Sequence, residues 1–229
     1  MIAILRETIY PYNLSPRIHK PFLLPAFELF PEPQYPSYDK ETKPVCKPIL
    51  DIVIKKDMVQ QKLEELNSNV SQGPDEIHPR LLKELSSVIA EPLAKLFQNS
   101  LIQGVVPNDW REANITALFK KGSKSASQNY RPISLTSVIC KQMESIITDE
   151  IINHLNILKL INGSRHGFTK GRSCLTNLLK FFEKVTDAID KGKPFDCIYL
   201  DFAKAFDKVP HFRLLKKLKA HGVDGNVAK

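Results

Sequence analysis

The chain has 229 residues, a formal net charge of +8 at pH 7 and a pI near 9.2. Its hydrophobic content of 42% and charged content of 25% are ordinary for a soluble globular protein. The four cysteines stand far apart, which excludes the usual zinc spacings and a disulfide framework, so we expect reduced thiols. No apolar run approaches the ~18 residues of a membrane helix, so we expect no membrane partner and an intracellular protein, in the nucleus or the cytoplasm.

The first 48 residues are rich in proline. Nine of the 16 prolines lie there and alternate with tyrosine, phenylalanine and leucine, so neither a helix nor a strand could run far. We predict that residues 1–48 form an extended or disordered arm and that residues 49–229 form the folded part. A partner-binding polyproline segment is the alternative, which the aromatic residues allow.

Beyond the arm, apolar residues recur at the spacing of amphipathic helices. The pattern predicts, in chain order, a short helix through Val59, Leu63 and Leu66, a second over 81–89, a third starting at Pro92 and ended by Gly104, a long helix over 137–154, and helices over Cys174–Asp190 and His211–Ala220. On the helix over Cys174–Asp190, the residues predicted to face inward are Leu175, Leu178, Leu179, Phe182 and Val185.

Three shorter runs predict strands. Residues 115–119 and 130–135 resemble a pair of strands joined by the polar loop 120–129. Within 195–200, four consecutive apolar residues predict a strand that is buried on both faces. Helices with a few strands, rather than alternating βαβ units, indicate an α+β fold.

A carboxylate ends the last of these strands. Asp201 follows Leu200 directly, and Phe206 and Asp207 come close behind. Because a strand delivers a side chain to a fixed place, Asp201 is suited to holding a metal ion against a substrate. Considered alone, an aspartate in this position is more often the N-cap of the next helix.

Basic residues cluster in three segments, which favours an anionic partner. These segments are residues 110–131, 165–172 and the chain from 204 onward. The predicted loop 120–129 carries Lys120, Lys121 and Lys124, and Arg131 lies on the return strand. This set suits a polyphosphate, because a guanidinium binds two oxygens at once. For the lysines alone, a solvated turn is the alternative.

The segment 165–173 combines glycines, cations and an aromatic ring. Its candidate residues for contact with a nucleic acid are Gly167, Phe168, Lys170, Gly171 and Arg172. The glycines let a nucleic-acid backbone approach closely, and the ring offers a surface for base stacking. A glycine-rich start of a helix, with a purely structural meaning, is equally compatible with the pattern.

The order of these motifs resembles one enzyme family. The motifs are Gly73-Pro74-Asp75, Trp110, Phe119-Lys120-Lys121-Gly122, Asn129-Tyr130-Arg131-Pro132-Ile133-Ser134-Leu135, His166-Gly167-Phe168, Gly171-Arg172-Ser173, Tyr199-Leu200-Asp201-Phe202 and Ala205-Phe206-Asp207. Over about residues 51–224, the chain resembles the reverse transcriptase of non-LTR retrotransposons, of the jockey and chicken-repeat kind.

The resemblance implies a right-hand polymerase, of which this chain holds the fingers and the first palm strand but no thumb. The complete family copies an RNA template into DNA from a DNA primer and dNTPs, using two Mg²⁺ ions. The resemblance implies that Asp201 is a catalytic carboxylate and metal ligand, and that the Phe202 carbonyl is another ligand. It places Lys120 and Arg131 on the triphosphate and Phe206 under the sugar of the incoming nucleotide. For the segment 165–173, it implies contact with the template.

The chain also departs from the family. No Asp-Asp pair and no Tyr-x-Asp-Asp motif occur among the 229 residues, so two of the three catalytic aspartates are missing. One carboxylate cannot hold two metal ions, and we expect a truncated domain that does not polymerise DNA alone. The alternatives are a non-catalytic protein that binds nucleic acid or a partner with its fingers, and an inert fragment. Glu76, where the family usually has glycine, and Thr169, where it often has a basic residue, predict slightly weaker finger contacts.

Overall fold

The structure is a computed structural model that describes residues 13–14, 48–49, 51–202 and 209–228. Most of the predicted arm, and the predicted nucleotide-binding residue Phe206 with its neighbour Asp207, lie outside the described residues. The chain divides into two compact units. The first comprises residues 1–154 and 206–229, and the second residues 155–205. Among the described helices, none has both the length and the apolar character needed to cross a membrane.

Six α-helices lie within the described residues. They are α1 (Lys56–Glu64), α2 (Pro79–Glu84), α3 (Ser86–Gln103), α4 (Val138–Ile157), α5 (Cys174–Asp190) and α6 (His211–Ala220). The predicted ranges of α4, α5 and α6 are confirmed to within three residues. The helix predicted through Val59, Leu63 and Leu66 is found as α1, but Leu66 lies beyond its end. Gly104 ends α3 in the left-handed conformation, with a φ of 64°. The predicted α+β class is confirmed as well.

The predicted boundary between the second and third helices is wrong. Pro92 lies inside α3 rather than in its first turn, and the break falls at Leu85, which caps both α2 and α3. A proline inside a helix removes one backbone hydrogen bond. The buried side of α3 nevertheless continues on both sides of Pro92, from Ala90 to Ala94 and Phe97, so packing outweighs that loss.

A small sheet of three strands belongs to the first unit. The strands are β1 (Asn13–Leu14), β2 (Glu112–Phe119) and β3 (Tyr130–Thr136), in the order β1-β2-β3. β2 and β3 are antiparallel, and Ala113 lies opposite Thr136 at one end of the ladder. The predicted pair of strands is therefore confirmed. In addition, β1 from the proline-rich arm pairs in parallel with the start of β2.

The core of the first unit lies between α1, α3 and α4. Val59 and Leu63 of α1 are fully buried, as are Phe97 of α3 and Ile146 of α4. The ring of Trp110 meets the ring of Phe97 edge to face, with 5.7 Å between their centroids. Such aromatic pairs stabilise a core by about 1 kcal/mol beyond the area that they bury.

An extended segment before α1 completes this core. Ile52 and Ile54 are buried while Val53 between them is exposed, as in a strand. This segment bonds to a side chain instead of a neighbouring strand. The Gln98 amide accepts from the Ile54 N–H at 2.7 Å and donates to the Ile52 carbonyl at 3.3 Å. This segment was not predicted, although the run of three β-branched residues, Ile52-Val53-Ile54, was a signal for it.

The turn before α2 packs tightly against the end of β3. A Cβ atom on Gly73 would lie 2.7 Å from backbone atoms of both Thr136 and Ser137, closer than real Cβ atoms approach. Glu76, in the same turn, has a φ of 56°, in the left-handed region that favours glycine. The turn therefore favours glycine at two positions: at 73 because a side chain would not fit, and at 76 because of the backbone angle. The chain has glycine only at position 73.

In the second unit, α5 begins with a capping box. The Ser173 hydroxyl accepts from the Thr176 N–H, and the Thr176 hydroxyl accepts from the Ser173 N–H. The prediction that the apolar residues of α5 face inward is wrong in this structure. Leu175, Leu178, Leu179 and Phe182 are exposed, and no residue of α5 is buried. Within 155–202, the described part of this unit, no strand and no second whole helix covers this face.

The predicted strand over 195–200 is also wrong. These residues belong to no helix or strand, and Ile198 and Leu200 are 83% and 82% exposed. They run beside α5, where the Phe181 ring lies 6.0 Å from the ring of Phe195 and 6.2 Å from the ring of Tyr199. A strand needs neighbouring strands to bond its backbone, and no described strand pairs with this segment.

Candidate functional site

The β2–β3 hairpin places two of the predicted nucleotide-binding residues on one face. Leu118 lies opposite Arg131, and Lys120 follows Leu118 by two residues, with its N–H bonded to the Asn129 carbonyl at 2.8 Å. Opposed residues share a face of a sheet, and so do residues two apart along a strand. Lys120 and Arg131 are therefore diagonal neighbours on the same face, with Cβ atoms about 7–8 Å apart. Both side chains are exposed.

The other face of the hairpin is aromatic. Phe119 and Tyr130 pair across the strands, with ring centroids 5.4 Å apart. The Lys124 ammonium lies 6.0 Å from the centroid of the Phe119 ring, and the Tyr130 hydroxyl donates to the Lys124 carbonyl at 2.8 Å. Lys124 thus belongs to the aromatic face and is separated from the pair formed by Lys120 and Arg131.

The loop 163–173 of the second unit is ordered by bonds between its own side chains and carbonyls. The Arg172 guanidinium donates to the carbonyls of Gly163 and Arg165, the second bond measuring 2.9 Å. The Arg165 side chain donates through Nε to the Gly167 carbonyl at 3.1 Å. Phe168 lies at the tip, 77% exposed and with a φ of 53°. The loop therefore presents an aromatic ring to solvent on a fixed backbone.

His166 joins this loop to the first turn of α5. Its Nδ1 lies 3.0 Å from the Thr176 hydroxyl oxygen, which belongs to the capping box. Burial lowers the pKa of His166, and the nearby charges of Arg172 and Lys180 lower it further. His166 is therefore neutral at pH 7 and acts as a hydrogen-bonding link. Sequence analysis included His166 in a motif without assigning this role to it.

The predicted metal ligands do not form a metal site in the described structure. Asp201 is exposed, and Phe202 beside it is 77% exposed. Among the described residues, no group of three histidine, cysteine, aspartate or glutamate side chains is placed to hold a metal ion. The Mg²⁺ pair that the family implies needs several convergent oxygen ligands, so the described residues do not fit it.

The predicted site residues are thus divided between the two units. Lys120 and Arg131 lie on one face of the hairpin in the first unit. The loop residues Gly167, Phe168, Lys170, Gly171 and Arg172 lie in the second unit, as do Asp201 and Phe202. Phe206 lies outside the described residues.

Comparison with known proteins gives a consistent result. Residues 119–229 match the family described as reverse transcriptase (RNA-dependent DNA polymerase). The chain is 26% identical over 167 residues to the "Probable RNA-directed DNA polymerase from transposon BS" of Drosophila melanogaster, covering 72% of this chain and 18% of that protein. It is 26% identical over 162 residues to the RNA-directed DNA polymerase from mobile element jockey of the same species, covering 70% of this chain and 18% of that protein.

A third relative comes from a beetle. The chain is 25% identical over 127 residues to the Retrovirus-related Pol polyprotein from type-1 retrotransposable element R2 of Popillia japonica, covering 56% of this chain and 17% of that protein. Residues 119–229 therefore match the reverse transcriptase family, and the resemblance to the enzymes of non-LTR retrotransposons is confirmed. The chain spans less than a fifth of the length of these curated relatives.

Proposed function

We propose that this chain supplies the fingers and the first palm segment of a reverse transcriptase that copies RNA into DNA. Its role in that reaction is to bind the triphosphate of the incoming dNTP and the RNA template. The single observation that carries the proposal is the exposed pair Lys120 and Arg131, which share one face of the β2–β3 hairpin within the family match. An ammonium and a guanidinium side by side neutralise a polyphosphate better than either does alone.

The template is the proposed ligand of the loop 163–173. Phe168 offers an exposed ring to an unpaired base, and Lys170 next to it offers an exposed ammonium to the backbone. Stacking of a base on an aromatic side chain contributes about 1–3 kcal/mol and does not depend on the sequence. Gly167 and Gly171 leave room for the nucleic-acid backbone, since a Cβ on either would meet no atom within 4 Å.

We assign to Asp201 one carboxylate of the catalytic centre and to the Phe202 carbonyl a place beside it. Among the described residues, no group of three potential metal ligands stands at this position. The chemical step therefore requires carboxylates from outside them. The binding functions of the hairpin and of the loop 163–173 do not depend on that step. Binding of RNA without catalysis is accordingly the second candidate function of the 229-residue chain.

Titration of the chain with dTTP, followed by NMR of the hairpin amides, tests the proposal. Lys120→Ala and Arg131→Ala should each weaken binding by about threefold to tenfold, because each removes one charge-assisted contact. The matched control is Lys124→Ala, which removes the same charge from the aromatic face and should leave the affinity unchanged. An equal effect of all three substitutions would show that only the net charge of the hairpin matters and would contradict the proposal.

A further inference from the structure

We infer that Arg172 is a positioning residue: it holds the backbone that presents Phe168 and Lys170 to a single-stranded nucleic acid, and it does not itself contact a phosphate. The inference rests on the proposed function of the loop 163–173. It differs from the template contact that the motif alone indicated for this arginine, because it assigns the guanidinium to carbonyls of the protein.

The Arg172 guanidinium bonds to the backbone of its own loop. One terminal nitrogen of its guanidinium, Nη1, donates to the carbonyls of both Gly163 and Arg165. These carbonyls belong to residues nine and seven positions earlier in the chain. The side chain therefore ties the end of the loop back to its beginning. The two N–H groups on Nη1 are the donors that these two bonds require.

The contacts of Arg165 extend this connection to the tip. The Arg172 guanidinium fixes the main chain of Arg165, and the Arg165 side chain donates to the Gly167 carbonyl at 3.1 Å. The Thr169 hydroxyl donates to the same carbonyl at 3.2 Å. The peptide that leads into Phe168 is thus held from both sides.

The conformation of Phe168 shows why such support is needed. A φ of 53° is in the left-handed region, which is strained for a residue with a side chain. A bulky residue keeps such a conformation only where the surrounding structure determines it. Its ring is 77% exposed, and the bonds that start at Arg172 hold the peptide that leads into it.

Arg172 and Lys170 carry the same charge but differ in what their side chains face. Both side chains are exposed, but the guanidinium of Arg172 is aimed at carbonyl oxygens of its own loop. A lysine in place of Arg172 would keep the charge but would lose the planar fork of donors. Two substitutions at one position, Arg172→Lys and Arg172→Ala, therefore distinguish geometry from charge.

The first measurement uses the 229-residue chain without any nucleic acid. Hydrogen exchange should accelerate by about tenfold at the amides of Arg165 and Arg172, in both Arg172→Lys and Arg172→Ala, because the loop opens more often. The control Lys170→Ala should leave exchange of these amides unchanged. Unchanged exchange in Arg172→Ala would overturn the inference whatever the result with RNA. Amides of α4 in the first unit report whether each variant remains folded.

The second measurement is filter binding of a 20-nucleotide oligouridine RNA at several salt concentrations. Both Arg172 variants should bind about fivefold more weakly with an unchanged dependence on salt, whereas Lys170→Ala should reduce the slope of log K against log salt by about 0.7. If Arg172→Lys binds like the wild type and Arg172→Ala reduces the slope, Arg172 is a phosphate contact and the inference is wrong. If the wild-type chain binds no RNA, the proposed function fails, and the exchange data still decide whether Arg172 orders the loop.

Discussion

At the scale of single residues, the turn from Gly73 to Glu76 combines a close backbone approach with a strained backbone angle. Gly73 fills a position where any side chain would meet the backbone of Thr136 and Ser137. Glu76 has a φ of 56°, in the left-handed region that glycine adopts without a steric cost. The weaker finger contacts predicted for Glu76 stay a prediction. The structure adds that position 76 carries backbone strain.

Replacing Glu76 by glycine should therefore stabilise the first unit. The Glu76→Gly chain should gain about 1 kcal/mol in the free energy of unfolding, because glycine adopts a φ of 56° without the steric cost of a Cβ. Part of this gain is offset, since glycine makes the unfolded chain more flexible. Urea denaturation monitored by circular dichroism measures the change.

The control for this prediction is the same replacement in a helix. Lys95→Gly, in the middle of α3 and on its exposed side, should destabilise the chain by about 1 kcal/mol. The two substitutions should thus shift the urea midpoint in opposite directions. A loss of stability in Glu76→Gly would mean that the carboxylate makes a contact that outweighs its backbone strain.

At the scale of elements, the predictions succeeded where the signal is local. Helical spacing predicted α6 with its observed ends, and the polar loop between two strand-like runs predicted the hairpin. The face shared by Lys120 and Arg131 also follows from local pairing, since opposite residues in a hairpin are fixed by the loop between them. Local pairing therefore predicted the hairpin that carries Lys120 and Arg131.

The same reasoning failed where burial needs a partner. The apolar stripe of α5 and the apolar run over 195–200 both predicted burial, and both are exposed. Periodicity shows that a face is apolar, but it does not show which surface covers that face. The contacts that order the loop 163–173 were missed for a related reason, because bonds to backbone carbonyls leave no pattern in the sequence.

The start of α5 offers a test at this scale. Ser173→Ala should destabilise the helix by about 1 kcal/mol, since it removes the acceptor for the Thr176 N–H at 3.2 Å. Faster hydrogen exchange at Thr176 and Asn177 measures the fraying of the first turn. Ser164→Ala, a serine in the same loop whose backbone N–H alone makes the bond to Asn162, is the control and should leave these amides unchanged.

At the scale of the whole molecule, both units carry clusters of basic residues. The net charge is +8, and the basic segments fall on the hairpin, on the loop 163–173 and on the chain from 204 onward. When the basic residues neutralise phosphates of a nucleic acid, the counterions condensed on those phosphates are released, and this release favours binding. Binding by this route depends on salt and not on base sequence.

We therefore expect weak binding of RNA that falls steeply with salt. If the chain neutralises about three phosphates of a single strand, affinity should drop by more than about tenfold between about 50 and about 200 mM salt. Electrophoretic mobility shifts with two unrelated RNAs of equal length provide the measurement. A strong preference for one of the RNAs, or an affinity insensitive to salt, would be incompatible with phosphate neutralisation as the source of binding.

The edge-to-face pair of Trp110 and Phe97 has a practical consequence for following how the chain unfolds. Trp110 is the single tryptophan among the 229 residues, and its ring is buried in the first unit. Its fluorescence therefore reports the loosening of that core. Far-ultraviolet circular dichroism, by contrast, includes the 17 residues of α5. Denaturation curves from the two signals coincide only if the units unfold together, so a gap between the midpoints measures their independence.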